Sequence, residues 1–198
     1  MDIKLSLDAI YTIFSSIISA NGLISNSMAT VIGSMLISPY LNPMNKFSQD
    51  YTSKGIINTN ELIKIIIYFT ISISIGYVYY SLYIKFFMSR DKLKVFERDH
   101  KIMEELADFK FINIGICSFV IGAFLAFLTL KPYNSYNIVM VGVNIAVSLL
   151  PTVVNAGIYL ARKDLTKSFY SLMKIIINMI MIFVGFLFYY SLSQYMTQ

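Results

Sequence analysis

Two short stretches set proline, serine and asparagine inside apolar surroundings. The first carries Gly33, Ser38, Pro39, Asn42 and Pro43; the second carries Gly142, Asn144, Ser148, Pro151 and Asn155. Each runs glycine, serine, proline, asparagine in that order, with five residues from glycine to serine in the first and six in the second. Proline inside a helix removes one backbone hydrogen bond and clashes with the preceding turn, at about 3 kcal/mol or more. In hydrocarbon the freed carbonyl must find another partner, and Ser38, Asn42, Ser148 and Asn155 are spaced to help provide one. The chemistry of such breaks is solvation, not bond making. Half-helix ends expose N–H and C=O groups, which together with hydroxyl and amide side chains can replace the water around a small solute or ion. The candidate pathway residues are therefore Ser38, Pro39, Asn42, Pro43, Asn144, Ser148, Pro151 and Asn155. Ordinary transmembrane kinks would account for Pro39 and Pro151 alone, but less well for an amide residue after each.

Bond-making chemistry has little to work with. His100 is the only histidine and lies in a charged segment, so no histidine-based metal site is expected. Cys117 sits in the middle of an apolar run, where packing is the expected role. No serine stands in a nucleophile elbow, and no glycine pattern resembles a phosphate loop. Asp8 is the one carboxylate clearly inside an apolar stretch; a headgroup contact near a helix start is the simpler reading, and a proton or cation relay is the alternative. An enzyme is not expected, and neither is a cofactor or a metal.

The elements that must position these residues follow from composition. Of 198 residues, 57% are hydrophobic and 14% charged, with a mean hydropathy of +0.65. A soluble domain keeps about 25% of its residues charged, so lipid is the expected solvent. A single cysteine excludes a disulfide scaffold, and the apolar content excludes a disordered chain. Six apolar stretches have the length of a spanning helix, about 17–25 residues: 5–24, 28–44, 62–87, 111–130, 136–160 and 169–190. They do not alternate polar and apolar residues as barrel strands do. The expected fold is all-α: a polytopic membrane protein of six transmembrane helices forming a single domain, 1–198, whose first helix is retained rather than cleaved.

Each proline-broken stretch is the middle of three. Three crossings are odd, so a second triplet lies upside down relative to the first, giving a 3+3 inverted repeat with halves 1–88 and 111–195. The halves are joined by a charged linker, 89–110, in which Leu93, Phe96, Met103 and Leu106 recur at near-helical spacing. It reads as an interfacial amphipathic connector, with a regulatory or docking helix as the alternative. If all six stretches cross, five of the 16 basic residues fall on the side of the N-terminus and eleven on the other. The positive-inside rule then places loops 89–110 and 161–168 in the cytoplasm and both termini outside. The net charge of +5 is thus a topology signal, and no nucleic acid partner is expected. Small residues at four-residue spacing permit close helix approach, within one chain or between copies: Ser72 and Gly76; Ser118, Gly122 and Ala126; Gly142 and Ala146. Tyr and Phe cluster at helix ends, as interfacial anchors do.

The run from Ala29 to Pro39, continued by Asn42 and Pro43, resembles the first signature of the family called domain of unknown function 389, roughly G-A-M-L-I-S-P-L-M-G-P. The run from Gly142 to Gly157 resembles its second, roughly G-V-A-I-A-V-S-L-L-P-P-L-V-x-A-G. Departures are Ser34 for alanine, Asn42 for glycine, Asn144 for alanine and Thr152 for a second proline, which make this copy more polar. The resemblance implies a hydrophobic multi-pass membrane protein and no defined biochemical role. The expected function is a transporter or channel for a small solute or ion between the paired broken helices. The alternative is a structural, oligomeric membrane protein with no transport activity. Expected partners are the lipid bilayer, the small solute or ion, and further copies of the chain as a homo-oligomer.

Overall fold

The computed structural model describes residues 3–87, 101–108, 111–130 and 149–196. The described residues fold as helices: α1 (Ile3–Ile24), α2 (Met28–Ile37), α3 (Leu41–Lys54), α4 (Thr59–Phe87), α5 (Lys101–Ala107), α6 (Phe111–Leu130), α7 (Leu149–Ala161) and α8 (Leu165–Met196). Segments in α1, α4 and α8 are long and apolar enough to cross a membrane. The expected stretch 28–44 is not one helix. Pro39 cannot donate a backbone bond, Ser38 is extended (φ −69°, ψ 129°), and the chain restarts as α3, which runs ten residues past the expected end. Pro43 is the third residue of α3, where an N–H would lack a helical acceptor anyway, so it is tolerated there. Of stretch 136–160 only the part from Leu149 is described, and it is helical.

Local chemistry sets two tight turns. Asn26 takes a left-handed φ of 53°, and the Ser27 N–H returns to the Gly22 carbonyl at 2.9 Å, closing α1. Ser27 then caps α2 by accepting from the Thr30 N–H. The same device joins α7 to α8: Lys163 is left-handed (φ 62°), the Asp164 N–H returns to Tyr159, and Asp164 accepts from the Lys167 N–H.

Cross-helix contacts fix directions. Tyr68 meets Asp8, Ser72 meets Ser16 and Tyr79 meets Asn21, so α1 and α4 run parallel. Ser118 pairs with Asn178, and Gly122 lies against Ile182, so α6 and α8 run parallel too. Helix α5 relates the two pairs. Its Ile102 N–H donates to Asn26 beyond the end of α1, while its Glu104 pairs with Lys167 at the start of α8. The α1/α4 pair therefore points toward α5 and the α6/α8 pair away from it.

Helix α7 is the core, buried at every residue from Leu149 to Tyr159. It reaches that depth through glycine. A Cβ on Gly157 would collide with the Ile73 carbonyl of α4, and one on Gly76 with the Val154 carbonyl of α7. Gly122 and Gly185 bring α6 and α8 together in the same way, so these close approaches fall within one chain. At the end away from α5, buried Glu61 of α4 pairs with Lys46 of α3 at 3.1 Å and Lys64 at 2.9 Å.

The distribution of residues is inverted relative to a protein folded in water. On α1, Thr12, Ser15, Ser16 and Ser19 are fully buried, whereas Ile10, Tyr11 and Phe14 are exposed, Phe14 by 59%. Outward Ile66 and Val78 on α4 and Ile180 and Phe188 on α8 continue the pattern. In water each such exposure forfeits about 25 cal/mol per Å² of apolar surface.

Candidate functional site

The first break lies where α2 stops and α3 begins. Ser38 is only 8% exposed, and its Oγ has no hydrogen-bond partner among the described residues. Pro39 and Tyr40 beside it are buried, as is Pro43. Tyr40 anchors the break to α4: its hydroxyl meets the Tyr68 carbonyl at 2.9 Å and donates to Ser72 Oγ at 2.7 Å, and its ring stacks on Phe69 at 5.3 Å. The Ser72 hydroxyl in turn meets Ser16 Oγ of α1 at 2.6 Å.

The second proline-bearing stretch contributes α7, which is helical from Leu149 through Pro151 to Ala161. Asn155 is fully buried; its amide nitrogen donates to the Met103 carbonyl of α5 at 2.9 Å and lies 3.4 Å from Ser171 Oγ of α8, while its Oδ1 has no partner among the described residues. Pro151 is buried two residues into the described part of α7. Asn144 and Ser148 lie outside the described residues, as do Gly142 and Ala146. Helices α2 and α7 pack against each other, but no hydrogen bond joins Ser38 to Asn155.

Asn42 is the expected site residue that the structure does not bring inward. It is exposed on α3, whose buried face carries Leu41, Met44, Asn45 and Ser48. One helical turn along, Asn45 occupies the interior position instead. Cys117, expected to pack, faces outward on α6. Of the linker, Met103 is fully buried and Leu106 packs on the core, while Lys101, Glu104, Glu105 and Asp108 are exposed, so α5 lies with one face against the bundle and a charged face outward. Leu93, Phe96 and His100 lie outside the described residues.

Sequence reasoning missed the polar seam of α1. Thr12, Ser15, Ser16 and Ser19 recur with helical spacing behind Asp8 and form one buried face. Most of these hydroxyls satisfy themselves on the preceding turn: Thr12 donates to the Asp8 carbonyl, and Ser16 to the Thr12 carbonyl. Ser19 does not, and its buried Oγ has no partner among the described residues. Asp8 stands at the end of the seam and accepts from the Tyr68 hydroxyl at 3.3 Å. The signal was present as a three-to-four-residue recurrence of hydroxyls within an apolar run.

A separate open cleft of about 820 Å³ lies at the other end, between α5 and the start of α8, lined by Lys101, Glu104, Asp108, Asp164 and Lys167 among others. Its charged groups are solvated and partly paired with one another, and it does not coincide with either break. Among the described residues, no group of histidine, cysteine and carboxylate side chains is disposed to hold a metal ion.

The described residues thus define a helical protein with three apolar helices of membrane-crossing length and, between the shorter α2 and α3, a proline break beside buried polar groups. A family model described as domain of unknown function (DUF389) matches residues 35–184, or 150 of the 198 residues. The chain belongs to this family. The matched region begins within α2 just before the first break and extends into α8. No curated protein matches the chain, and no solved structure does.

Proposed function

We propose that this protein is an integral membrane transporter or channel for a small solute or ion, with its pathway at the α2–α3 break and α7. The observation that carries this reading is the presence of buried oxygens with no partner among the described residues, Ser38 Oγ at the α2–α3 break and Asn155 Oδ1 within α7. A buried polar group left unpaired costs about 1–3 kcal/mol, and a polar solute passing through would supply the missing partner. The inverted distribution of hydroxyl and apolar residues supports lipid as the solvent. Two parallel helix pairs pointing in opposite directions support six crossings arranged as a 3+3 inverted repeat. The basic turn 161–168 meets α5 at one end of the bundle through Lys167 and Glu104, which supports full crossing of stretch 136–160. By the positive-inside rule that end faces the cytoplasm.

The test is electrical and osmotic. Purified protein in planar bilayers is scanned in several monovalent and divalent salts, and proteoliposomes are followed for swelling in neutral solutes, each beside Asn155→Leu. Flux that falls at least tenfold in the variant, with the helical signal retained, is the expected result. Unchanged flux overturns the site. Silence in both assays, together with altered assembly of the variant in detergent, replaces the reading with a structural, homo-oligomeric role.

A further inference from the structure

We infer that the solute taken at the first break is a dehydrated monovalent metal cation of the sodium or potassium type, held by the carbonyl end of α2, Ser38 Oγ and the hydroxyl seam of α1, with Asp8 at the mouth. The inference rests on the pathway reading above and adds the identity of what passes.

Four observations converge on a cation. Helix α2 runs into the break with its C-terminus, so its last carbonyls lack intrahelical donors and carry the negative end of the helix dipole. Ser38 follows in an extended conformation, not the left-handed one that would fold N–H groups back onto those carbonyls. Helix α3 begins three residues later, but Pro39 and Pro43 bring no N–H to its start. The first turn of α3 still offers the N–H groups of Leu41, Asn42 and Met44, fewer than the carbonyls of the last turn of α2, and the hydroxyls add further acceptor oxygens. Across from it, the Tyr40 hydroxyl reaches Ser72, which reaches Ser16 of the seam.

Two fully or nearly buried hydroxyls, Ser19 and Ser38, have no partner among the described residues. Each can turn an oxygen toward a bound ion. The donor set also sets the charge. Hydroxyl and carbonyl oxygens are neutral hard ligands; a divalent ion of the calcium type draws on several carboxylates. Asp8 is the one carboxylate on the described part of the seam, and it is already bonded to Tyr68. Among the residues of α1 and α2 whose burial is described, no lysine, arginine or histidine is buried, so an anion finds no counter-charge there.

The experiment uses the full chain in planar bilayers under a sodium or potassium chloride gradient, with Ser19→Ala/Ser38→Ala and Asp8→Asn as variants. Removing a buried hydroxyl that has no partner is neutral or stabilising for the fold, so the double alanine variant is expected to keep or raise its melting temperature. It is also expected to lose conductance at least tenfold. Wild-type current should reverse on the cation side, and calcium should carry none. A reversal on the chloride side, current carried by protons alone, or swelling only in neutral solutes would overturn the cation while leaving the pathway standing. Cation current unchanged in both variants would overturn the seam. Loss of flux in Asn155→Leu with none in the seam variants would place the passage along α7 alone.

Discussion

At Gly157 a single methyl group decides whether α7 fits. The Ile73 carbonyl of α4 occupies the space that a Cβ would need, and Gly76 stands in the reciprocal position against Val154. Overpacking of a tight contact costs about 1–3 kcal/mol, and both neighbours here are backbone, which cannot swing aside. Gly157→Val is therefore expected to lower the melting temperature in detergent sharply. Gly33→Ala, inside α2 and with nothing within 4 Å of its added Cβ, should keep or raise it. Residue type was legible for Asn155, because an amide within an apolar helix must find partners inside the fold. It was not legible for Asn42 against Asn45. Which face of α3 turns inward depends on where the helix starts after Pro39, and that is set by the Tyr40 contact with α4.

The broken helices show what an element can and cannot announce. Two prolines four residues apart predicted a break, yet α3 runs on to Lys54 into polar sequence. Gly55 ends it with a left-handed φ of 65°. The following turn is held by Asp50, which accepts from Asn58 at 2.7 Å and Lys54 at 3.0 Å. These contacts, the Asn58 bond first and then Lys54, hold the Asp50 carboxyl below the usual carboxylate range. A lowered folded-state value means that the contribution is full above the unfolded value, about 3.9, and fades as pH falls through the folded one. Amide protection at residues 50–60, as the ratio of intrinsic to observed hydrogen-exchange rate, is expected to hold from pH 6 to about pH 4 and to fall below it. Asp50→Asn should remove that pH dependence. The linker makes the complementary point. Its amphipathic spacing named Met103 and Leu106 as the apolar face, but not the bundle residue that its backbone would meet, which is Asn155, donating to the Met103 carbonyl from a distant helix.

For the whole molecule, the opposed directions of the α1/α4 and α6/α8 pairs carry a topological consequence. Ser53 at the end of α3 and Thr166 at the start of α8 are both exposed and lie at opposite ends of the bundle. In a Cys117→Ser background, Ser53→Cys and Thr166→Cys are expected to react with a membrane-impermeant maleimide from opposite sides, with Lys101→Cys following Thr166. Labelling of Ser53→Cys and Thr166→Cys from the same side would sink the six-crossing arrangement.

Composition and run length alone determined that the protein is helical and apolar, because a backbone in hydrocarbon has few ways to satisfy its bonds, and Pro39 marked the break in stretch 28–44. The two signatures also sufficed to place the family. Only the tertiary structure decided which polar groups turn inward. A serine on an apolar helix can face lipid and bond its own preceding turn, or face a neighbour, at nearly equal local cost. The glycine contacts that seat α7, and the parallel pairing of α1 with α4, made that choice for Ser16, Ser19 and Ser72.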